Sequence, residues 1–171
     1  MANNPQEAAV RLLECVSDGL SSIGNPVCKR YQTIGVPVIA QCCECDDGLG
    51  GNGELSIHFR RLFDADASSL IEVQRVRPCK GGSVAAQYRM VLARCYPTID
   101  EQGYPPDPED LIEAADEQFL DVQTFWQSLV CCSEMDLRVD DISADLSPQG
   151  GCSFVFADIT VAVTIPQLPS G

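Results

Sequence analysis

Histidine is the side chain best suited to gain or lose a proton near neutral pH, and this chain has one, His58. To act as a general base it needs a nucleophile within hydrogen-bond reach. No serine or cysteine near it in sequence makes a recognisable nucleophile motif. Leu55, Ile57 and Phe59 alternate with Glu54, Ser56, His58 and Arg60, which predicts a strand with one dry and one wet side. His58 is expected on the wet side, as a solvated strand histidine.

The ten cysteines suggest two further chemistries. Cys42 and Cys45 form one C-x-x-C, which Cys79, Cys95, Cys131, Cys132 or Cys152 could complete into a tetrahedral zinc site. A second pair at that spacing is missing, and buried cysteine is usually a small hydrophobe. Disulfides suit small secreted scaffolds, but the start Met1-Ala2-Asn3-Asn4-Pro5 lacks a basic region followed by an apolar core, and 171 residues can build a core without staples. Reduced thiols in a cytoplasm are therefore the expectation. The loop Asp46-Asp47-Gly48-Leu49-Gly50-Gly51-Asn52-Gly53 has the glycine content of a phosphate cradle but no following lysine, and its aspartates would repel an anion. It reads as a mobile loop. Acidic residues are so widespread that spacing singles out no pair of carboxylates for catalysis. No catalytic, cofactor-binding or metal-binding residue, and no cofactor, is expected.

A net charge of −14 argues against a surface that grips nucleic acid, where cations contacting phosphate dominate. The sequence contains no apolar run of 18 or more residues, so no membrane-spanning helix is expected. The length fits a single domain over residues 1–171, with Pro166 to Gly171 as a flexible tail.

Two helices stand out. Asp107-Pro108-Glu109-Asp110 supplies an N-cap, a first-turn proline and acids at the positive end of the helix dipole. From there to Val130, Leu111, Ala114, Ala115, Phe119, Val122, Phe125, Trp126, Leu129 and Val130 fall on one broad arc expected to be buried, with Asp121 on the polar arc and Leu120 as its one apolar exception. Asn4, Pro5 and Glu7 open an earlier helix with a capping-box pattern, and Gly24-Asn25-Pro26 stops it. Strands are expected at Val36 to Cys43, at Glu54 to Arg60, from Ile71 to Arg77, and from Val84 to Cys95, the last two forming a hairpin. Leu137, Val139 and Ile142 mark a strand after the central helix, and Phe154 to Ile165 a long central one. The expected fold is α+β, two-layer, with a mainly antiparallel sheet packed against two long helices.

The block Val84 to Asp100, ending in Arg-Cys-Tyr-Pro-Thr-Ile-Asp, leads to a Pro-Pro-x-Pro-Glu-x-Leu entry into a helix that carries Trp126 and closes at Cys131-Cys132. With the order of elements, this resembles the tail terminator proteins of long-tailed, siphovirus-type phages infecting actinobacteria, over most of residues 5 to 165. The resemblance implies a virion protein at the tail–neck junction, assembled in the host bacterial cytoplasm. Such proteins form a ring of six subunits on the last ring of the tail tube; they stop its polymerisation and present the surface on which the head–tail connector docks. Genomic DNA would pass through the lumen without specific binding, past acids for which Glu54, Asp140, Asp141, Asp46 and Asp47 are candidates. The family carries no catalytic residues, so none is expected here. Alternatives are another neck protein, an adaptor or stopper; a cysteine-based metal or redox module; or a small enzyme using paired carboxylates.

Overall fold

The computed structural model describes residues 4–35, 52–66, 68–73, 84–132, 135–146 and 151–165. The order of elements is α1 (Pro5–Ser22), β1 (Lys29–Ile34), β2 (Glu54–Asp64), β3 (Val84–Cys95), α2 (Pro108–Val130), β4 (Leu137–Leu146) and β5 (Cys152–Val163). The expected helix starts hold. The Asn4 side chain accepts from the Glu7 N–H at 2.9 Å, and Glu7 accepts from the Asn4 N–H at 3.2 Å, closing the capping box. Asp107 caps α2 by accepting from the Glu109 N–H at 3.0 Å.

The strands form one mixed sheet in the order β1-β2-β3-β5-β4. β1 runs parallel to β2; the β2–β3, β3–β5 and β5–β4 ladders are antiparallel. β1 is a strand that its polar sequence, KRYQTI, did not announce. The hairpin expected between Ile71–Arg77 and β3 does not form along β3, because both edges of β3 are occupied, by β2 and β5. Glu72 instead makes an isolated bridge to Ala65. The expected strand at Val36 to Cys43, most of the glycine-rich loop and the tail from Pro166 lie outside the described residues.

One face of the sheet meets the helices. Leu55 and Ile57, then Ala86, Tyr88, Met90 and Leu92, then Val155, Ala157, Ile159, Val161 and Val163, join Ala8, Leu12, Val16 and Leu20 of α1 and Phe125 and Leu129 of α2 in one core. The period of two along β3 and β5 accounts for this, since opposite partners in their ladder share a face. The Tyr88 hydroxyl donates to the Pro5 carbonyl at 2.6 Å and pins the start of α1 across the sheet. At the other end of α1, Gly19 faces Ser128 and Thr124 of α2; a Cβ there would displace the Ser128 hydroxyl and crowd Thr124, so the small residue suits the close approach of the helices.

A single arginine ties these elements together. Arg94, at the end of β3, donates from Nε to Asp121 Oδ2 at 3.0 Å and from Nη2 to Asp121 Oδ1 at 3.2 Å and to the Asn25 carbonyl at 2.8 Å. Its Nη1 serves the Pro26 carbonyl at 3.2 Å and the Asn52 carbonyl. All five guanidinium N–H groups are thus used, inside a site where Arg94 and Asp121 are both buried. Asn25 Nδ2 adds a further bond to Asp121 at 3.3 Å. Burial pushes the Asp121 carboxyl up, opposed by the hydrogen bonds and charge of Arg94 and by Asn25.

The expectation of reduced thiols is overturned. Cys15 of α1 and Cys132, just past α2, form a disulfide that closes a separation of 117 residues, and Cys28, Cys95 and Cys152 are also disulfide-bonded. The Cys15–Cys132 bridge joins α1 to the end of α2, and cross-linking two such distant points restricts the unfolded chain.

Two outcomes follow for stability in urea unfolding. Arg94→Met leaves the Asp121 carboxylate buried without its partner and strips donors from three loop carbonyls, for a loss of about 3–5 kcal/mol; a loss under about 1 kcal/mol would remove the arginine from this role. Replacing Cys15 and Cys132 together by serine costs about 2–5 kcal/mol, and treating the wild type with a reductant, which opens the other disulfides as well, costs more.

Candidate functional site

The sheet face turned away from the helices carries the polar residues of β2, and it is not wet. Glu54, Ser56 and His58 are all buried there, His58 completely. Tyr31 of β1 donates its hydroxyl to Glu54 Oε1 at 3.1 Å, and burial together with the Glu54 charge holds the Tyr31 phenol above its usual range. The Ser56 hydroxyl lies 2.8 Å from His58 Nε2. The alternation of β2 therefore separates two buried faces, one apolar and one polar, and the expectation of a solvated histidine fails.

A serine bonded to a histidine invites a nucleophilic reading. In such a dyad the base is oriented through its other nitrogen, and the serine must reach a substrate. Here His58 Nδ1 is buried with no hydrogen-bond partner among the described residues, and Ser56 is 1% exposed. The pair as built holds a polar row inside the sheet. Desolvation, aided by the charge of Arg60, lowers the His58 pKa, so the ring is neutral at pH 7.

The remaining sequence candidates scatter. Glu54 is buried under Tyr31 and is withdrawn from any lumen surface. Asp140 and Asp141 sit exposed at the bulge of β4, where Asp140 accepts from Arg138 at 2.5 Å and from Thr160 at 2.6 Å. Asp46 and Asp47, together with Cys42, Cys45 and Cys79, lie outside the described residues. Cys95, Cys132 and Cys152 are spent on disulfides, while Cys131 is an exposed thiol. Among the described residues no group of three metal-ligating side chains comes together, and no helix is long and apolar enough to cross a membrane.

What does come together is apolar surface on α2. The broad buried arc expected for this helix is not the one observed: α2 buries Asp121, Thr124, Phe125 and Leu129, whereas Phe119 is 69% exposed, Trp126 53% and Val130 58%. Ile112, 63% exposed, continues the same line. At 100° per residue these four stand within a narrow stripe roughly 140–180° around the helix from Asp121, and it runs about 27 Å along the axis. Drawing Asp121 inward to Arg94 turns these side chains outward. A groove of about 280 Å³ lined by Val122, Gln123, Trp126, Gln127 and Ile142 extends the stripe towards β4. The exposure of Leu120, 41%, agrees with its place on the polar arc.

At the opposite edge of the sheet a second apolar feature opens. Between the start of α1 and edge strand β1 lies a cleft of about 660 Å³, lined by Pro5, Ala9, Ile34, Phe59 and Tyr88 among others. Ile34 on its rim is 82% exposed. The sequence signal for both features was present but weak: an apolar excess on α2 too wide to be buried by one sheet, and an isoleucine ending a polar strand.

Comparison with models of protein families and with curated proteins finds no match to this chain.

The buried histidine gives stability a defined pH dependence. The unfolded chain takes up a proton at His58 near pH 6.5, while the folded state resists it to lower pH, so stability is full above that range and falls as pH drops from about 7 towards 5, by up to about 1.4 kcal/mol per pH unit. Urea midpoints of the wild type and His58→Gln across this window should converge at the acid end; parallel curves would contradict it.

Proposed function

We propose that this protein is a structural virion component, a ring-forming tail terminator that caps the tail tube of a siphovirus-type phage, stops its polymerisation and presents the surface on which the head–tail connector docks. The single observation that supports this reading is the apolar stripe of Ile112, Phe119, Trp126 and Val130, left in solvent by a chain that otherwise has a well-formed core. Surface of this kind marks a site of association. The sequence resemblance of Val84 to Asp100 and of the entry to α2 supplies the identity of the assembly.

In this reading the fold is a two-layer one, helices over sheet, and each subunit contributes one such unit to the wall of the ring. No chemistry is asked of the protein, and it needs no cofactor. Genomic DNA passes without specific binding, because a net charge of −14 offers phosphate few cations to hold. The disulfides fit a particle built in a reducing host cytoplasm that then persists outside the cell, where thiols oxidise.

Native mass spectrometry of the purified protein over a concentration series tests the reading. The expected species is a closed ring of roughly 110 kDa, six copies of 18.5 kDa, without metal. A monomer carrying stoichiometric zinc would contradict it.

A further inference from the structure

The two apolar features sit at opposite edges of the sheet, and their charges are opposite too. α2 carries six acidic residues and no basic one, with Glu109, Glu113 and Asp116 exposed beside the stripe. Ile112 and Leu120 lie among these acids in a shallow groove. The other edge strand, β1, has the reverse balance: Lys29 and Arg30 are exposed, the strand holds no acid, and neither cation enters an ion pair among the described residues. Arg30, Gln32 and Ile34 pair with Leu55, Ile57 and Phe59, so Arg30 stands on the same face as the cleft, one strand pitch from its rim.

Stripe against stripe would press Glu109, Glu113 and Asp116 of one copy on the same acids of the next, a like-charge contact that costs affinity. Stripe against cleft brings acids to Arg30, the cation on the cleft face, and puts aromatic side chains into an apolar hollow of a size that takes them. We infer that the occupant of the α2 stripe is a second copy of this chain, docked head to tail: Phe119 and Trp126 of one copy enter the cleft between α1 and β1 of the next, with Glu113 and Asp116 facing Arg30. A contact between two different surfaces of one chain repeats around a circle and closes when the rotation allows. The inference rests on the ring reading above and assigns that ring its two faces.

The full-length protein tests this by complementation in native mass spectrometry. Phe119→Ser with Trp126→Ser removes the stripe; Ile34→Asp with Arg30→Glu removes the cleft edge. All four side chains are surface groups, and circular dichroism checks that each variant stays folded. Each variant alone is expected to be monomeric at concentrations where the wild type assembles. Mixed, they should give a one-to-one species of about 37 kDa, two copies of 18.5 kDa, and nothing larger, because each pair retains a single intact stripe and a single intact cleft. If the wild type forms rings and either variant alone still does, or the mixture stays monomeric, the head-to-tail assignment is overturned and the ring reading stands. A wild type that never associates, even at millimolar concentration, overturns both.

Discussion

The interaction on which the rest of this molecule depends is the buried pairing of Arg94 with Asp121. An arginine enclosed by protein must use its donors, and this one has a separate acceptor for each: a carboxylate from the middle of α2 and carbonyls from the two loops that lead into β1 and β2. Five bonds from one rigid fork fix the relative positions of β3, α2, the end of α1 and the entry to β2. Gly53, at φ +78° and placed where a Cβ would collide with the Ala93 carbonyl, lets the loop backbone lie close to β3 beside Asn52. Such a pair need not be stabilising compared with an apolar substitute, but it is specific, because only one rotation of α2 satisfies it.

That rotation determines the outer surface. A helix has one angular degree of freedom against its sheet, and hydrophobicity alone would set it by burying the largest apolar arc. Here the aspartate overrides the arc. With Asp121 inward, Phe125 and Leu129 are carried into the core while Ile112, Phe119, Trp126 and Val130 are carried out. The monomer thus gives up burial of two aromatic rings in exchange for a satisfied polar network, and the apolar area withheld from the core becomes available for association. The second sheet face shows the same preference for polar pairs over apolar filling, in Glu54 with Tyr31, Ser56 with His58, and Arg89 with Asp158 at 2.8 and 2.6 Å.

Much of this architecture was legible in the residues. Both helix starts follow from their caps and prolines, the limits of β3 from the turn sequence before it and Pro97 after it, and the central place of β5 from its β-branched content. Other parts were not. Periodicity places a polar residue on a face but does not say whether that face is wet, which is why His58, Ser56 and Glu54 were misjudged. The turn of α2 depended on a partner 27 residues away in sequence, so no local pattern could show that Asp121 points inward. β1 lacks the composition of a strand and is one because β2 offers it an edge. The disulfides were set aside on composition and compartment, and Cys15 and Cys132 meet only once α1 and α2 are packed side by side.

We propose that this chain ends a tail tube. The most direct measurement of that proposal is electron microscopy of tubes polymerised from a siphovirus tail-tube protein encoded beside this chain, with and without this chain. The account predicts that added protein appears as a ring at one end of each tube and that capped tubes stop growing while uncapped ones lengthen. Tubes that lengthen equally in both samples, with bare ends, would contradict it.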